Sequence, residues 1–537
     1  MLSLGDMYPI CLSAKLPPGG AAEIGNKAWN LMRMTQAGLP VPAAFVLPTV
    51  WCGRPDTESC GRTDVSEPLN KALADGVELL EAATGLVFGG ARRPLLLSVR
   101  SGAAVSMPGM METVLDVGLN AQTVGALIRH IGNPRLAWDS YRRLIQGYAE
   151  VVTGLPTAPF DALVANRLAM ADTSSERELD HRDLRALTAE MLACYHDLVG
   201  AAFPADPMTQ LLGATEAVFR SWSAPKAVSY RRLNHIDDAA GTAVTVQTMV
   251  FGNAGGASGA GVGFTRDPAT GVRVLYFDFQ FDGQGEDVVA GRQKLEGHDR
   301  LRRILPAIWT RLEEICRVLE RVFGDAQDFE FTVQSGVLFL LQTRRAKRTD
   351  WAALVIAVDM VAEGVLTPQA ALAQIQDIDL GHVVRTRFAQ PVPPTLAMAE
   401  AASLGVACGA LALDTAAVQR LVAAGTPAIL VRQDTVTSDI EGMAGAVGIL
   451  TGSGGRTSHA AVVARQLGKV CLVSCPGLEI DLQRRQCSIA TTLLNEGDLL
   501  ALDGNTGAVY AGQLNVTTER PEAALQAIAS WQLAPAA

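Results

Sequence analysis

Residues 452–473, GSGGRTSHAAVVARQLGKVCLV, place one histidine behind two glycines and a Thr-Ser pair, and ahead of an apolar run at helical spacing. Histidine is scarce in this chain, with seven in 537 residues. Gly454 and Gly455 permit a tight turn, Thr457 or Ser458 suits an N-cap, and HAAVVARQLG predicts a helix ending at Gly468. His459 then falls in the first turn. Free backbone N–H groups there can hold an anion such as a phosphoryl group. The positive end of the helix dipole disfavours imidazolium, which leaves a neutral, nucleophilic ring at about pH 7. Taken alone, these residues fit a capping or packing histidine equally well.

A phosphorylated histidine needs a donor, and no Walker A motif is present. Basic groups near glycines or strand ends are the alternative. Lys27 follows EIGN, Arg100 ends the strand-like PLLLSVRS, Arg143 lies in WDSYRRLIQGY, and Arg344 follows DFEFTVQSGVLFLLQT. Each alone also reads as a solvated surface charge. Arg100 and Arg344 directly follow apolar strands, and a charge at such an edge points into a cleft. The last segment predicts a hairpin across Ser335-Gly336. Asp328 and Glu330 share one strand face, and Gln342 and Arg344 follow the same period on the partner strand. Oxygen ligands beside an arginine suit Mg²⁺ bridging nucleotide phosphates. An exposed face bearing a salt bridge is the other reading.

Strand-like and helix-like stretches alternate over residues 20–120, residues 121–222 are helical by period, and strands with glycine-rich turns return from 243. This order predicts an α+β domain over 1–350 with a helical subdomain at about 121–222. Residues 351–400 follow as connecting helices and a proline-rich linker, QPVPPTLA. Residues 401–515 alternate strand and helix as a small α/β domain, and 516–537 form a helix-prone tail. Apolar content of 49% supports large cores. A net charge of -10 and a pI near 5.3 argue against a nucleic-acid or membrane-surface binder. Nine cysteines without C-x-x-C spacing, and no signal-peptide pattern, predict reduced thiols and a cytoplasmic protein. The most apolar windows are interrupted by Asp and Glu at helical spacing, which fits buried helices rather than membrane spans.

GILTGSGGRTSHAAVVARQLGKVCLV resembles the phosphohistidine motif of the PEP-utilising swivel domain, in the pyruvate, phosphate dikinase family. SVRSGAAVSMPGMMETVLDVGLN, QTMVFGNAGGASGAGVGFTRDPATG, GQGEDVVAG and EFTVQSGVLFLLQTR are similar to the ATP-grasp part of that family. The resemblance implies an ATP-grasp nucleotide-binding domain with a helical subdomain, followed by a phosphohistidine swivel domain. It implies that His459 is phosphorylated in turnover, supported by Gly454, Gly455, Thr457 and Ser458. It further implies that Lys27, Arg100 and Arg344 bind ATP phosphates, that Glu330 and Gln342 bind Mg²⁺, and that Asp328 supports the nucleotide site. Arg143 would help hold inorganic phosphate, SMPGMM would cover the triphosphate, and Gln247 to Val250 would lie by the adenine.

Three departures stand out. Ser453-Gly454-Gly455-Arg456 replaces the family's Arg-Gly-Gly-Met, EIGNKAWN replaces its G-G-K-G-x-N, and Asp278 stands where the family has Glu. The family's C-terminal (β/α)₈ barrel needs roughly 250 residues, and 22 follow residue 515. The expectation is therefore a dikinase-type phosphotransferase that makes phosphohistidine from ATP, giving AMP and pyrophosphate with inorganic phosphate. The acceptor is expected on a separate subunit, pyruvate being the family default, and a homo-oligomer is allowed. A kinase of an alcohol, phenol or antibiotic hydroxyl is the second reading. A non-catalytic regulatory paralogue is the third, and the presence of Lys27, Arg100, Glu330, Gln342, Arg344 and His459 weighs against it.

Overall fold

The structure is a computed structural model that describes residues 7–11, 14–52, 67–105, 107, 110–173, 175–285, 298–435, 439–455 and 458–533. Two compact units divide it: Met1–Ser258 with Thr332–Thr343, and Gly259–Phe331 with Arg344–Ala537.

The first unit is built on a five-stranded sheet. Its strands are Tyr8–Ile10 (β1), Ala44–Leu47 (β2), Leu97–Gly102 (β3), Thr113–Val117 (β4) and Ala243–Thr248 (β5), in the order β1-β2-β5-β3-β4. β5 is buried along its whole length, polar Thr245, Gln247 and Thr248 included, because it is the central strand. Gly20–Gln36 (α1) and Glu67–Thr84 (α2) accompany the sheet. The stretch with helical period folds into Thr123–Ile131 (α3), Pro134–Val151 (α4), Ala158–Met170 (α5), His181–Val199 (α6) and Pro207–Arg220 (α7). Their starts carry ordinary chemistry. Asn133 caps α4 through Leu136 N with Pro134 next to it, Asp180 caps α6, and Asp206 caps α7. Tyr141, Tyr148 and Tyr195 set their rings edge-on around Phe203 and knit α4 to α6.

In the second unit, Gly259–Phe264 (β6) pairs antiparallel with Tyr276–Phe281 (β7). Gln327–Gln334 (β8) lies on the other side of β6, and Val337–Arg345 (β9) completes the order β9-β8-β6-β7, residues Thr332–Thr343 of this hairpin being counted with the first unit. The predicted hairpin turn is present: Ser335 and Gly336 take φ of 49° and 79°, the left-handed pair that a two-residue turn requires. The segment LRRILPAIWTRLEEICRVLERVFG is divided at Leu305 between His298–Ile304 (α8) and Pro306–Phe323 (α9), because Pro306 has no N–H to continue the first helix. Arg266, fully buried after β6, pairs with Glu320 of α9 through two 3.0 Å bonds. It also reaches Asp359 at 3.2 Å and Glu363 at 2.8 Å. These carboxylates fasten Asp350–Ala362 (α10) and its end to the strand.

The 351–400 segment contains more than helices. After α10 and Pro368–Gln374 (α11) come strands Arg385–Phe388 (β10) and Ala397–Met398 (β11). The tail also differs from a simple helix. Val516–Glu519 pairs antiparallel with β10, and Glu522–Leu533 packs through Ala524 and Ile528 on α10 and α11. Between them lies an eight-stranded sheet. Its further strands are Glu400–Ser403 (β12), Val406–Ala412 (β13), Ala428–Arg432 (β14), Gly448–Thr451 (β15), Val470–Val473 (β16), Leu499–Asp503 (β17) and Ala508–Ala511 (β18). The order is β11-β18-β17-β13-β14-β15-β16-β12, and β13 to β16 run parallel. Thr415–Ala423 (α12), Ile440–Gly445 (α13) and His459–Gln466 (α14) cover one face, packing on Leu430, Ile449 and Val473. The other face buries Ile429, Leu450 and Leu472 against Cys487 and Ile489 of a small antiparallel sheet. Burial on both faces explains the continuous apolar runs AILV and VCLV. Among the described residues no helix is long and apolar enough to cross a membrane.

Candidate phosphoryl-transfer residues

In the first unit, α1 is kinked at Gly25, which takes φ 74° and ψ 152°. A Cβ there would stand 2.0 Å from the Gly102 carbonyl oxygen, so only glycine allows this approach. Asn26 N donates to Ala103 O at 2.9 Å and completes the contact. Lys27 is thereby seated beside Gly102, its Cβ 3.8 Å from the point a Gly102 side chain would start. Arg100 lies two residues back on the same strand end. Its Nε and Nη1 are buried and donate to no acceptor among the described residues. A buried guanidinium without an acceptor is costly unless an anion completes it. Gln247, on β5, is buried and donates from Nε2 to Pro42 O at 3.3 Å, and Val250 follows, half-buried.

Arg143 sits on α4, held through Nε by Asp139 Oδ2 at 3.1 Å, one helical turn away. Arg142 binds the other oxygen of Asp139 at 2.6–2.8 Å and also pairs with Glu176. Burial raises the Asp139 carboxyl, but the charges of Arg142, Arg143 and Arg135 and the Arg142 hydrogen bond outweigh it and hold it below its ordinary 3.8. A lowered carboxyl stabilises the fold above its unfolded value, and that contribution is lost as pH falls through the folded one. Asp139→Asn is accordingly expected to cost about 3 kcal/mol at neutral pH. The gap to wild type should narrow as pH falls below 3.8, read by denaturant unfolding at several pH values. A gap that stays constant down to the acid transition would contradict this.

In the second unit, Arg344 donates from Nε and Nη2 to Asp328 Oδ2, both at 2.7 Å. Burial is the largest influence on Asp328 and raises its carboxyl. Arg344 pulls it down, Glu330 pushes it up, and the charge of Arg465, on the same helix as His459, also lowers it. Simple alternation does not produce the Arg344 contact. An uninterrupted two-residue hairpin pairs Asp328 with Thr343. In β9, however, Leu338 and Leu340 are buried, Leu341 and Gln342 are both half-buried, and Thr343 is buried again. The alternation of burial thus shifts by one residue at Leu341–Gln342, and Arg344 meets Asp328 beyond that point.

Glu330, in the second unit, acts electrostatically on Asp328 and Arg344 and offers a carboxylate. Gln342, counted with the first unit, offers an amide oxygen; each is a hard oxygen donor of the kind Mg²⁺ takes. Among the described residues no three His, Cys, Asp or Glu side chains cluster as a complete metal cage. Asp278 is buried on β7 opposite Val262.

The glycine turn leads from β15 into α14. Ser458 is the N-cap and His459 the first helical residue, as the spacing predicts. Ser458 Oγ accepts from Ala461 N at 3.5 Å. Gly454 takes φ 95°, and both glycines are buried. The helix stops at Gln466, short of Gly468. Thr457, the side chain of His459, and Ser106, Pro108 and Gly109 of SMPGMM lie outside the described residues. Sequence reading did not find Asp139 or the Gly25 contact with Gly102. The glycine in EIGNK was the available sign of the latter, but its partner is remote in sequence.

Residues 57–300 match the family described as pyruvate phosphate dikinase, AMP/ATP-binding domain, and residues 425–507 match the mobile domain of PEP-utilising enzymes. The chain belongs to the family that these two domains define, with a mixed α/β, multidomain, ATP-grasp-like architecture. Its relatives include the pyruvate, phosphate dikinase of Clostridium symbiosum, 39% identical over 512 residues, covering 95% of this chain and 58% of the relative. The Rhizobium meliloti enzyme is 40% identical over 92% of this chain and 57% of its own length. The chloroplastic dikinase 1 of Zea mays is 40% identical over 91% and 52%. The chain thus spans between half and three-fifths of the length of these relatives.

Proposed function

We propose that this chain is a dikinase-type phosphotransferase that phosphorylates its own His459 from ATP and passes the group to an acceptor. The domains take the limits given by the sequence: 1–350 for nucleotide binding, 351–400 for the connector, 401–515 for the phosphohistidine domain and 516–537 for the tail. Lys27, Arg100 and Arg344 bind the phosphates, and Asp328 holds Arg344 in place. Gln247 and Val250 lie by the base. Glu330 and Gln342 would hold Mg²⁺, which supplies positive charge against the phosphate oxygens. His459, uncharged at the start of its helix, attacks phosphorus in line, with Gly454, Gly455, Thr457 and Ser458 as its supporting residues.

The observation that carries this reading is Arg100, half-buried with two buried guanidinium nitrogens lacking acceptors among the described residues, beside the lysine that Gly25 seats. Phosphate, held by Arg143, and pyruvate are the proposed acceptors, as in the relatives' names. A cytoplasmic location goes with this chemistry.

The test uses ATP labelled at the β or γ phosphorus, with Mg²⁺ and with or without inorganic phosphate. Expected are an acid-labile, base-stable label from the β position, release of AMP and pyrophosphate, and dependence on added phosphate. Orthophosphate release with no phosphate requirement would replace phosphate by water as second acceptor. ADP as sole nucleotide product would point instead to a simple kinase of a hydroxyl substrate.

A further inference from the structure

The turn before His459 is fixed from the neighbouring strand end. β15 and β16 are adjacent and parallel, and both chains leave at the C-terminal edge of the sheet, where α/β folds bind ligands. Cys475 N donates to Thr451 O at 2.9 Å and holds the exit of β16 against that of β15. Three consecutive carbonyls of the turn are engaged. Thr451 Oγ1 donates to Ser453 O at 2.7 Å, Ser474 Oγ to Gly454 O at 2.5 Å, and Ser458 N to Gly455 O at 3.0 Å.

In a planar trans peptide the N–H points opposite to the C=O of the same unit. Fixing the carbonyls of Ser453 and Gly454 therefore aims the amides of Gly454 and Gly455 to the opposite side of the turn. Ser474 itself takes φ 51°. That left-handed value is uncommon for serine, and such strain persists where surrounding structure enforces it, often at functional segments.

We propose that Ser474 is a positioning residue for phosphoryl transfer: its hydroxyl orients the Gly454 and Gly455 amides toward the phosphoryl group that His459 carries. The inference rests on the phosphohistidine reading above. Ser474→Gly removes the hydroxyl and relieves the backbone, while Ser474→Ala removes the hydroxyl alone.

Two reactions read their effect in the full chain, each corrected with His459→Ala. One is labelling by ATP. The other is phosphorylation by phosphoramidate, in which an imidazole nitrogen bonds to phosphorus as the bond to nitrogen of the departing ammonia breaks, with no nucleotide involved. Both variants are expected to slow about tenfold in both reactions, at unchanged KM for ATP and unchanged melting temperature. Wild-type phosphoramidate rates in both variants would overturn the proposal. So would a slow alanine variant beside a normal glycine variant, because backbone conformation would then be the cause. A wild-type chain that reacts with phosphoramidate at His459 but takes no label from ATP would refute the ATP reading, while the two variants still decide the role of Ser474.

Discussion

His459→Ala is expected to remove the ATP-derived label entirely, a loss on the order of 10⁶-fold, the scale seen when a catalytic nucleophile is deleted. The fold should survive. Position 459 is the first residue of α14, and alanine has the higher helix propensity. Ser458 remains to cap the helix, and Ala460, Ala461 and Ala464 remain to pack it on the sheet. Labelling by ATP and thermal unfolding should therefore part company: no phosphoenzyme, with a melting temperature near wild type. Equal labelling of the variant would place the phosphoryl group elsewhere and remove the central claim. Loss of label together with collapse of the fold would leave His459 a structural residue.

Arg100→Met is expected to give the second largest effect, slowing phosphoenzyme formation by roughly 10²- to 10³-fold, as for loss of one preorganised charge at a reacting centre. Its effect on stability should have the opposite sign. Nε and Nη1 of Arg100 are buried without acceptors, so the free protein bears the cost of an uncompensated polar group that a methionine would not. The variant should unfold at the same temperature as wild type or higher, and ATP should raise its melting temperature much less. This pairing separates a ligand-binding arginine from a structural one. A variant that is less stable yet still protected by ATP would show that Arg100 serves the fold.

Much of this was legible in the sequence because the relevant signals are local. Glycines before a Ser-His pair and an apolar helix state a capped helix start. The Ser335-Gly336 pair states a two-residue hairpin through the left-handed angles it tolerates, and both features are present. Unbroken apolar runs mark the parallel strands of the eight-stranded sheet, since both faces of those strands are covered.

Tertiary structure decided what depends on remote partners. Arg344 meets Asp328 beyond a break in the burial alternation of β9 at Leu341–Gln342, which the sequence does not mark. The tail was legible as a helix but not as a strand, because the pairing of Val516–Glu519 depends on β10, far away in the chain. Gly25 carries its meaning only against Gly102, and Ser474 only against Gly454. Sequence spacing specifies dihedral preference and the face a side chain takes within one element. It cannot specify which carbonyl a distant hydroxyl will meet, because that is fixed by how whole elements pack.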